Sequence, residues 1–190
     1  MKIELGKTQQ LIWKRTTEHG AYLGPDDSRE EVLLPKKYLT QGYKKGDTLE
    51  VFIYKDSEDR LVATTQKAKL ELGGLALLRV AQLSTIGAFL DWGLDKDLFL
   101  PFKEQTHKIH TGDLCLVTLY IDKSDRLCAT MKVYNLLEPA PEGLFQKGQY
   151  VTGTIYEVKP ELGALVAVEN KYHGMIPRQE FFQNKKAGDI

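Results

Sequence analysis

Short apolar runs alternate with polar residues along the whole chain, and Gly, Asp and Asn break them into segments of strand length. Residues 8–14 read as a first strand and residues 20–23 as the start of a second. Residues 32–34 form a short third strand that Pro35 ends, and residues 36–40 follow as one helical turn. Gly46-Asp47 then turns the chain into a fourth strand, residues 48–54. There Leu49, Val51 and Ile53 alternate with Glu50, Phe52 and Tyr54, which is the period of a half-buried strand. Asp56 to Asp59 make a hairpin turn, and residues 60–65 are the fifth strand.

The same pattern returns. Gly20-Ala21-Tyr22-Leu23 reappears as Gly87-Ala88-Phe89-Leu90, an offset of 67 residues. Val32-Leu33-Leu34-Pro35 reappears as Leu98-Phe99-Leu100-Pro101. Lys45-Gly46-Asp47 reappears as Thr111-Gly112-Asp113, and Asp59-Arg60-Leu61 as Asp125-Arg126-Leu127, all at an offset of 66. A third copy starts with Gly163-Ala164-Leu165-Val166, then Gly174-Met175-Ile176-Pro177, then Ala187-Gly188-Asp189. Its offset from the second copy is 76, and the added length falls at Glu138-Pro139-Ala140-Pro141-Glu142-Gly143. Two close prolines read there as a stiff, extended spacer. The fourth landmark of the third copy is absent from the sequence.

Ordered repetition at a fixed offset defines a tandem array. Its expected units are residues 1–69, 70–138 and 139–190, the last without its final two strands. Five strands with a helical turn after the third match the oligonucleotide/oligosaccharide-binding (OB) barrel. An SH3-like barrel also has five strands but usually lacks that helical turn. The fold class expected is therefore all-β: tandem five-stranded OB-fold barrels, two complete and a third partial. Three strands without the last two leave an unpaired edge, so the third unit is expected to be poorly ordered or covered by another chain.

Composition constrains the partner. Lys plus Arg equals Asp plus Glu, 26 against 26, so charge alone does not favour a polyanion. The balance is uneven, however: residues 1–70 hold 13 basic against 11 acidic residues, and residues 71–137 hold 7 against 8. Lys14, Arg15, Lys36, Lys37, Lys44 and Lys45 make the first copy the most basic. No apolar run has signal-peptide or membrane-spanning length, so a cytoplasmic protein without membrane contact is expected.

The order Gly-Ala-aromatic-aliphatic, aliphatic run ending in Pro, Lys-Gly-Asp and Asp-x-x-Asp-Arg-Leu resembles the S-one-type OB domain, the RNA-binding module of the largest small-subunit ribosomal protein. The tandem of degenerate copies also resembles the conserved virulence factor B family of RNA-binding regulators. In that family such domains precede a winged helix, which has no counterpart here. The resemblance implies contacts at His19, Tyr22, Asp56 and Arg60 in the first copy and at Phe89, Asp122 and Arg126 in the second. The third copy offers Leu162 and Leu165 at the aromatic positions.

The chemistry follows from residue type. An aromatic face stacks on any base, worth about 1–3 kcal/mol each, and a guanidinium neutralises a phosphate or stacks on a base. His19, Tyr22, Lys36, Arg60, Phe89 and Arg126 are therefore the candidate contacts to single-stranded RNA, with the first copy expected to carry most of the binding. Each also has a plainer reading. Tyr22 and Phe89 can pack between domains, Arg60 and Arg126 can simply pair with Asp56 and Asp122, and Lys36 can sit on a solvated face. Trp92 reads equally as a ligand contact or as packing at a domain junction. A protein-interaction or scaffold role, with a partner at an exposed barrel edge, is the alternative function.

Nothing points to catalysis. Cys115 aligns with Leu49 and Cys128 with Val62, so both read as inert core thiols. His107 and His110 lack a third ligand at zinc spacing and read as loop residues. Gly73-Gly74 lacks the Lys-Ser/Thr of a phosphate-binding loop. No enzyme activity, cofactor or metal is expected.

Overall fold

The computed structural model describes residues 2–39, 42–181 and 184–190. It contains three β modules in chain order. The first is a closed barrel of β1 (Thr8–Thr17), β2 (Gly20–Gly24), β3 (Val32–Pro35), β4 (Thr48–Lys55) and β5 (Leu61–Thr64), in the spatial order β1-β2-β3-β5-β4. A 3₁₀ turn, Lys36–Tyr38, follows β3 where a helical turn was expected; Thr40, at the far end of that expectation, lies outside the described residues. β1 is longer than expected because its two halves serve different partners. Thr8 to Ile12 pair with β4, and Ile12 to Thr17 pair with β2 across a register shift between Trp13 and Arg15.

The second module repeats this with β6 (Ala76–Leu83), β7 (Gly87–Asp91), β8 (Leu98–Pro101), β9 (Leu114–Ile121) and β10 (Leu127–Thr130). Its ladder runs β10-β9-β6-β7-β8, and β8 lies beside β10 without a ladder bridge between them, so the barrel is nearly closed. The third module is a sheet of β11 (Gly153–Lys159), β12 (Gly163–Val168) and β13 (Tyr172–Pro177).

The repeated landmarks are packing devices. A Cβ on Gly20, Gly87 or Gly163 would meet the carbonyl of Leu34, Leu100 or Ile176 at 2.1, 2.4 or 2.1 Å, so the second and third strands of every module meet over a bare backbone. The Gly-Asp landmark pins the start of the fourth strand to the first. Gly46 N–H donates to the Trp13 carbonyl and Trp13 N–H to the Asp47 carbonyl, both at 2.9 Å. Gly112 and Asp113 bracket Val80 in the same way, and Gly188 and Asp189 bracket Ile155. The third module therefore keeps this anchor, although its sheet has three strands.

The cores run between modules. The interior of barrel one contains Leu11, Trp13, Leu23, Leu34, Leu49, Val51 and Ile53. The alternation along β4 is that of a half-buried strand, with Phe52 and Tyr54 on the face away from the barrel interior. Both are buried too, because barrel two packs on that face and Phe52, Tyr54 and Val62 join its core. Trp92 settles at this junction: 3% exposed, it meets Phe52 edge-on at 5.5 Å, and its indole N–H donates to the Lys96 carbonyl at 2.6 Å. Polar contacts seal the rim. Asp95 of barrel two accepts hydrogen bonds from Lys37 (2.5 Å), Tyr38 (2.7 Å) and Gln66 (2.8 Å) of barrel one.

The third module repeats the arrangement one step on. Leu116, on the outer face of β9, packs with Tyr156, Leu165 and Ala167, and Val133 and Leu137 complete the cluster. The opposite face of the sheet gathers Ile155, Ala164 and Val166 with Ile176 and Phe181. A partner chain was expected at this unit, or poor order; in the structure the second barrel covers one of its faces. The proline segment is not a fully extended spacer. It turns at Leu144, whose N–H donates to the Pro141 carbonyl, and Phe145 packs edge-on against Tyr172.

Candidate nucleic-acid interface

The position after the Gly-Ala pair lies on the outer face of the second strand in every module, and its surroundings differ. In barrel one Tyr22 pairs across the sheet with Arg15 on β1 and Leu33 on β3. The Arg15 guanidinium sits 3.8 Å from the Tyr22 ring centroid, and Glu31 holds it there by accepting a 2.8 Å hydrogen bond from Nε. One face of the ring is thus covered by a cation–π contact. In barrel two Phe89 pairs across the sheet with Gln82 and Phe99. The two rings are 5.4 Å apart at 38°, and no cation covers them among the described residues. In module three Leu165 takes the position and is buried against barrel two.

The hairpin arginines are held alike in both barrels. Asp56 Oδ1 accepts the backbone N–H groups of Glu58 and Arg60, while its Oδ2 accepts Arg60 Nε at 2.9 Å and Nη2 at 2.7 Å. Asp122 does the same for Ser124 and Arg126, with side-chain contacts of 3.2 and 3.1 Å. Partial burial alone would raise these carboxyls, but the Arg hydrogen bonds hold both below the usual carboxylate range. Asp-x-x-Asp-Arg is therefore first a turn device, with Asp59 and Asp125 at φ 58° and 55°. The guanidiniums keep half or more of their surface in solvent.

His19 and Lys36 are neighbours: Lys36 N–H donates to the His19 carbonyl at 2.9 Å, and both side chains are exposed. The structure brings Phe89 and Arg126 to one cleft. It does not bring Arg60 to Tyr22 through any hydrogen bond, ion pair or ring contact.

That cleft lies between the barrels and has a volume of about 270 Å3. Phe89, Phe99, Trp92 and Arg126 come from barrel two, and Tyr54 and Lys55 from the β4–β5 hairpin of barrel one. Sequence reasoning passed over Phe99, Lys55 and Asp97, which lines the same cleft. The repeat carries a signal for Phe99, since it stands where the first copy has Leu33. Nothing in a repeat alignment indicates that a hairpin of one copy borders the face of the next.

The remaining candidates behave as core or loop. Burial pushes the Cys115 thiol up to about 12 and the Cys128 thiol to about 11, so neither ionises near neutrality. Burial lowers the pKa of His107, favouring its neutral form. His110 faces Asp113, with Nδ1 3.4 Å from Oδ2. No group of three or more His, Cys, Asp or Glu among the described residues is arranged to hold a metal. Among the described residues, no helix is long and apolar enough to cross a membrane.

Two successive barrels, each with a helical turn after its third strand and an aromatic on the outer face of its second, define a tandem OB-type protein. More narrowly, the chain belongs to the S1 domain family, which matches residues 5–66 and 72–132. It is 27% identical over 168 residues to the uncharacterised protein YitL of Bacillus subtilis, covering 80% of this chain and 53% of that one. The chain thus spans about half the length of that relative. It also resembles a crystal structure of a multidomain protein with nucleic acid binding domains from Streptococcus pneumoniae. That likeness has a TM-score of 0.62 at 21% identity, covering 97% of this chain and 66% of the other. A match to Drosophila Unr CSD456, at 16% identity, covers 96% and 87% of the two chains, but its TM-score of 0.25 carries no structural argument.

Proposed function

We propose that this chain binds single-stranded RNA on the outer faces of its first two barrels and acts as a non-catalytic module in a regulator of expression of the conserved virulence factor B type. The observation that carries the reading is the open Phe89–Phe99 pair beside Arg126 in a barrel of the S1 domain family. Stacked rings accept bases without regard to sequence, and a solvent-facing guanidinium accepts the phosphate between them. His19, Tyr22, Lys36 and Arg60 supply the contacts of barrel one. The lysines favour barrel one, as the sequence suggests, while the covered Tyr22 and the open Phe89 shift the stacking to barrel two. The working units are residues 1–69, 70–138 and 139–190, with the third serving as packing and spacing.

The test is binding of labelled single-stranded RNA to the whole chain across a salt series. Affinity is expected to fall as salt rises, through counterion release, and to drop in Phe89→Ala and Arg126→Ala proteins that keep their unfolding midpoint. No affinity at low salt above that of a neutral control protein would end the proposal. The rival is a protein partner at the third module, where β13 has a single ladder neighbour among the described strands. Copurifying partners that survive ribonuclease treatment would favour it.

A further inference from the structure

We infer that the cleft between the two barrels is a pocket for one unpaired RNA base bearing an exocyclic amino group, with Asp97 as the acceptor that selects it and Lys55 of barrel one as the cation that holds its phosphate. This deepens the RNA reading above and rests on it.

Glu31 stands immediately before β3, and Asp97 stands immediately before β8. In barrel one the acid is occupied, because Glu31 holds Arg15 over Tyr22. In barrel two Gln82 replaces Arg15 opposite the aromatic. The loss of that one cation has two consequences: no cation covers the half-buried Phe89 ring, and Asp97 is left with no hydrogen-bond or ion-pair partner among the described residues. An acceptor and a stacking face are released together, side by side, in one cleft.

The surroundings fit a base better than an anion. Asp97 is half-buried, and that burial together with the charge of Asp91 holds its carboxyl above the usual range. A carboxylate in such a place is stabilised by an N–H donor. Cytosine N4 and adenine N6 offer one, whereas uracil presents a carbonyl at that position, and its one edge donor, N3–H, lies between two carbonyls that would also face Asp97. The apolar walls are Phe89, Phe99, Leu98 and Tyr54. A cleft of about 270 Å3 lies below the roughly 300–1,000 Å3 of ordinary ligand pockets, so it takes one flat ring and not a stacked pair.

Lys55 lines the cleft from the other barrel, and its ammonium makes no hydrogen bond or ion pair among the described residues. Lys96, by contrast, is spent on the junction, donating to the carbonyls of Lys55 and Asp56 at 3.3 and 2.8 Å. That pair of bonds fixes the β4–β5 hairpin at the rim of the cleft. The site is therefore incomplete without both barrels.

The experiment compares labelled oligocytidylate and oligouridylate of equal length on the whole chain at fixed low salt. The expected result is tighter binding of oligocytidylate by roughly tenfold, the scale of one good side-chain contact to a base edge. Asp97→Asn, which can donate as well as accept, is expected to bring the two affinities within about threefold by weakening oligocytidylate. Lys55→Ala is expected to weaken both RNAs alike. Equal affinities in the unaltered protein, an Asp97→Asn protein with an undiminished ratio, or a Lys55→Ala protein with undiminished affinity would each overturn the inference. In any of those cases a loss of binding in Phe89→Ala leaves the general RNA reading standing. If neither RNA binds the unaltered chain, that reading and this one fall together. Unfolding midpoints of the variants separate these outcomes from misfolding.

Discussion

Barrels one and two share a strand plan, a glycine crossing and a hairpin device, yet a cation lies over the aromatic platform of the first and, among the described residues, none lies over that of the second. The difference traces to one cross-strand pair. Arg15 opposite Tyr22 can reach back over the ring and be held by Glu31; Gln82 opposite Phe89 carries no charge to do so. Barrel two also places Phe99 where barrel one has Leu33. Basic charge and stacking surface have therefore separated: the first copy keeps more cations, and the second keeps the open rings.

The third module extends the comparison. Its residue at the platform position, Leu165, is buried against barrel two together with Tyr156 and Leu116. A ring that binds RNA must stay wet, whereas a face that docks a neighbour must be apolar and small enough to pack. Module three has taken the second course, which explains why an aliphatic residue stands at its platform position. The same face thus does three jobs in one chain: capped surface, open platform and domain contact.

The largest expected effect concerns the coupling of the two barrels. Trp92 is 3% exposed and packs on Phe52 across the junction. Trp92→Ala is expected to cost about 3–5 kcal/mol of unfolding free energy, read by urea titration. Barrels one and two, which share a core cluster, are expected to unfold in a single transition before the change. Two separate transitions in the unaltered protein would show that the barrels are merely adjacent, and the comparison would then be between independent domains.

Next in size is the stacking difference itself. Phe89→Ala is expected to cost about 1–3 kcal/mol of RNA binding, and Tyr22→Ala markedly less, because one Tyr22 face is already occupied. Equal losses at the two positions would remove the distinction between the barrels, and a larger loss at Tyr22 would return the sequence-based expectation that the first copy dominates.

The repeat made the barrels legible, because glycine crossings and Gly-Asp anchors recur at fixed offsets and have one structural job each. Gly20, Gly87 and Gly163 all meet a carbonyl that a Cβ would strike. The sites were less legible. Alternation along β4 separated Leu49, Val51 and Ile53 from Phe52 and Tyr54 as two faces, but it had no means of showing that barrel two buries the second face from outside. The Arg15 lid was hidden for a different reason. A register shift lies between Trp13 and Arg15, and strand pairing read from sequence does not fix which residue stands opposite Tyr22 across such a bulge. Phe99 was within reach of the repeat, as an aromatic against Leu33.

A smaller effect is expected from acid. Hydrogen bonds from Lys37, Tyr38 and Gln66 hold Asp95 at about 2, below the ordinary carboxylate value. A depressed carboxyl contributes stability that is present above its unfolded value and is lost as pH falls through the folded one. The contribution is therefore complete above about pH 4 and declines toward about pH 2. Asp95→Asn is expected to flatten that part of the stability profile while leaving the slope above about pH 5 unchanged. An unaltered acid limb in the variant would show that Asp95 does not hold the rim of the junction.

The smallest change is the one that tests the comparison most directly. Arg15→Gln gives barrel one the residue type that barrel two has at this place. Arg15 and Glu31 form a partly exposed pair, so the substitution is expected to alter stability by no more than about 1 kcal/mol. Its effect on RNA should appear only in combination. With Arg15 present, Tyr22→Ala removes a ring already covered on one face; in the Arg15→Gln background, the same Tyr22→Ala change removes an open platform. A double-mutant cycle on RNA affinity is therefore expected to show coupling of at least about 0.5 kcal/mol between positions 15 and 22, with the Tyr22 cost rising once the lid is gone. Additive losses would mean that Arg15 does not shield Tyr22 from RNA, and the contrast between the two barrels would then have to rest on Phe99 alone.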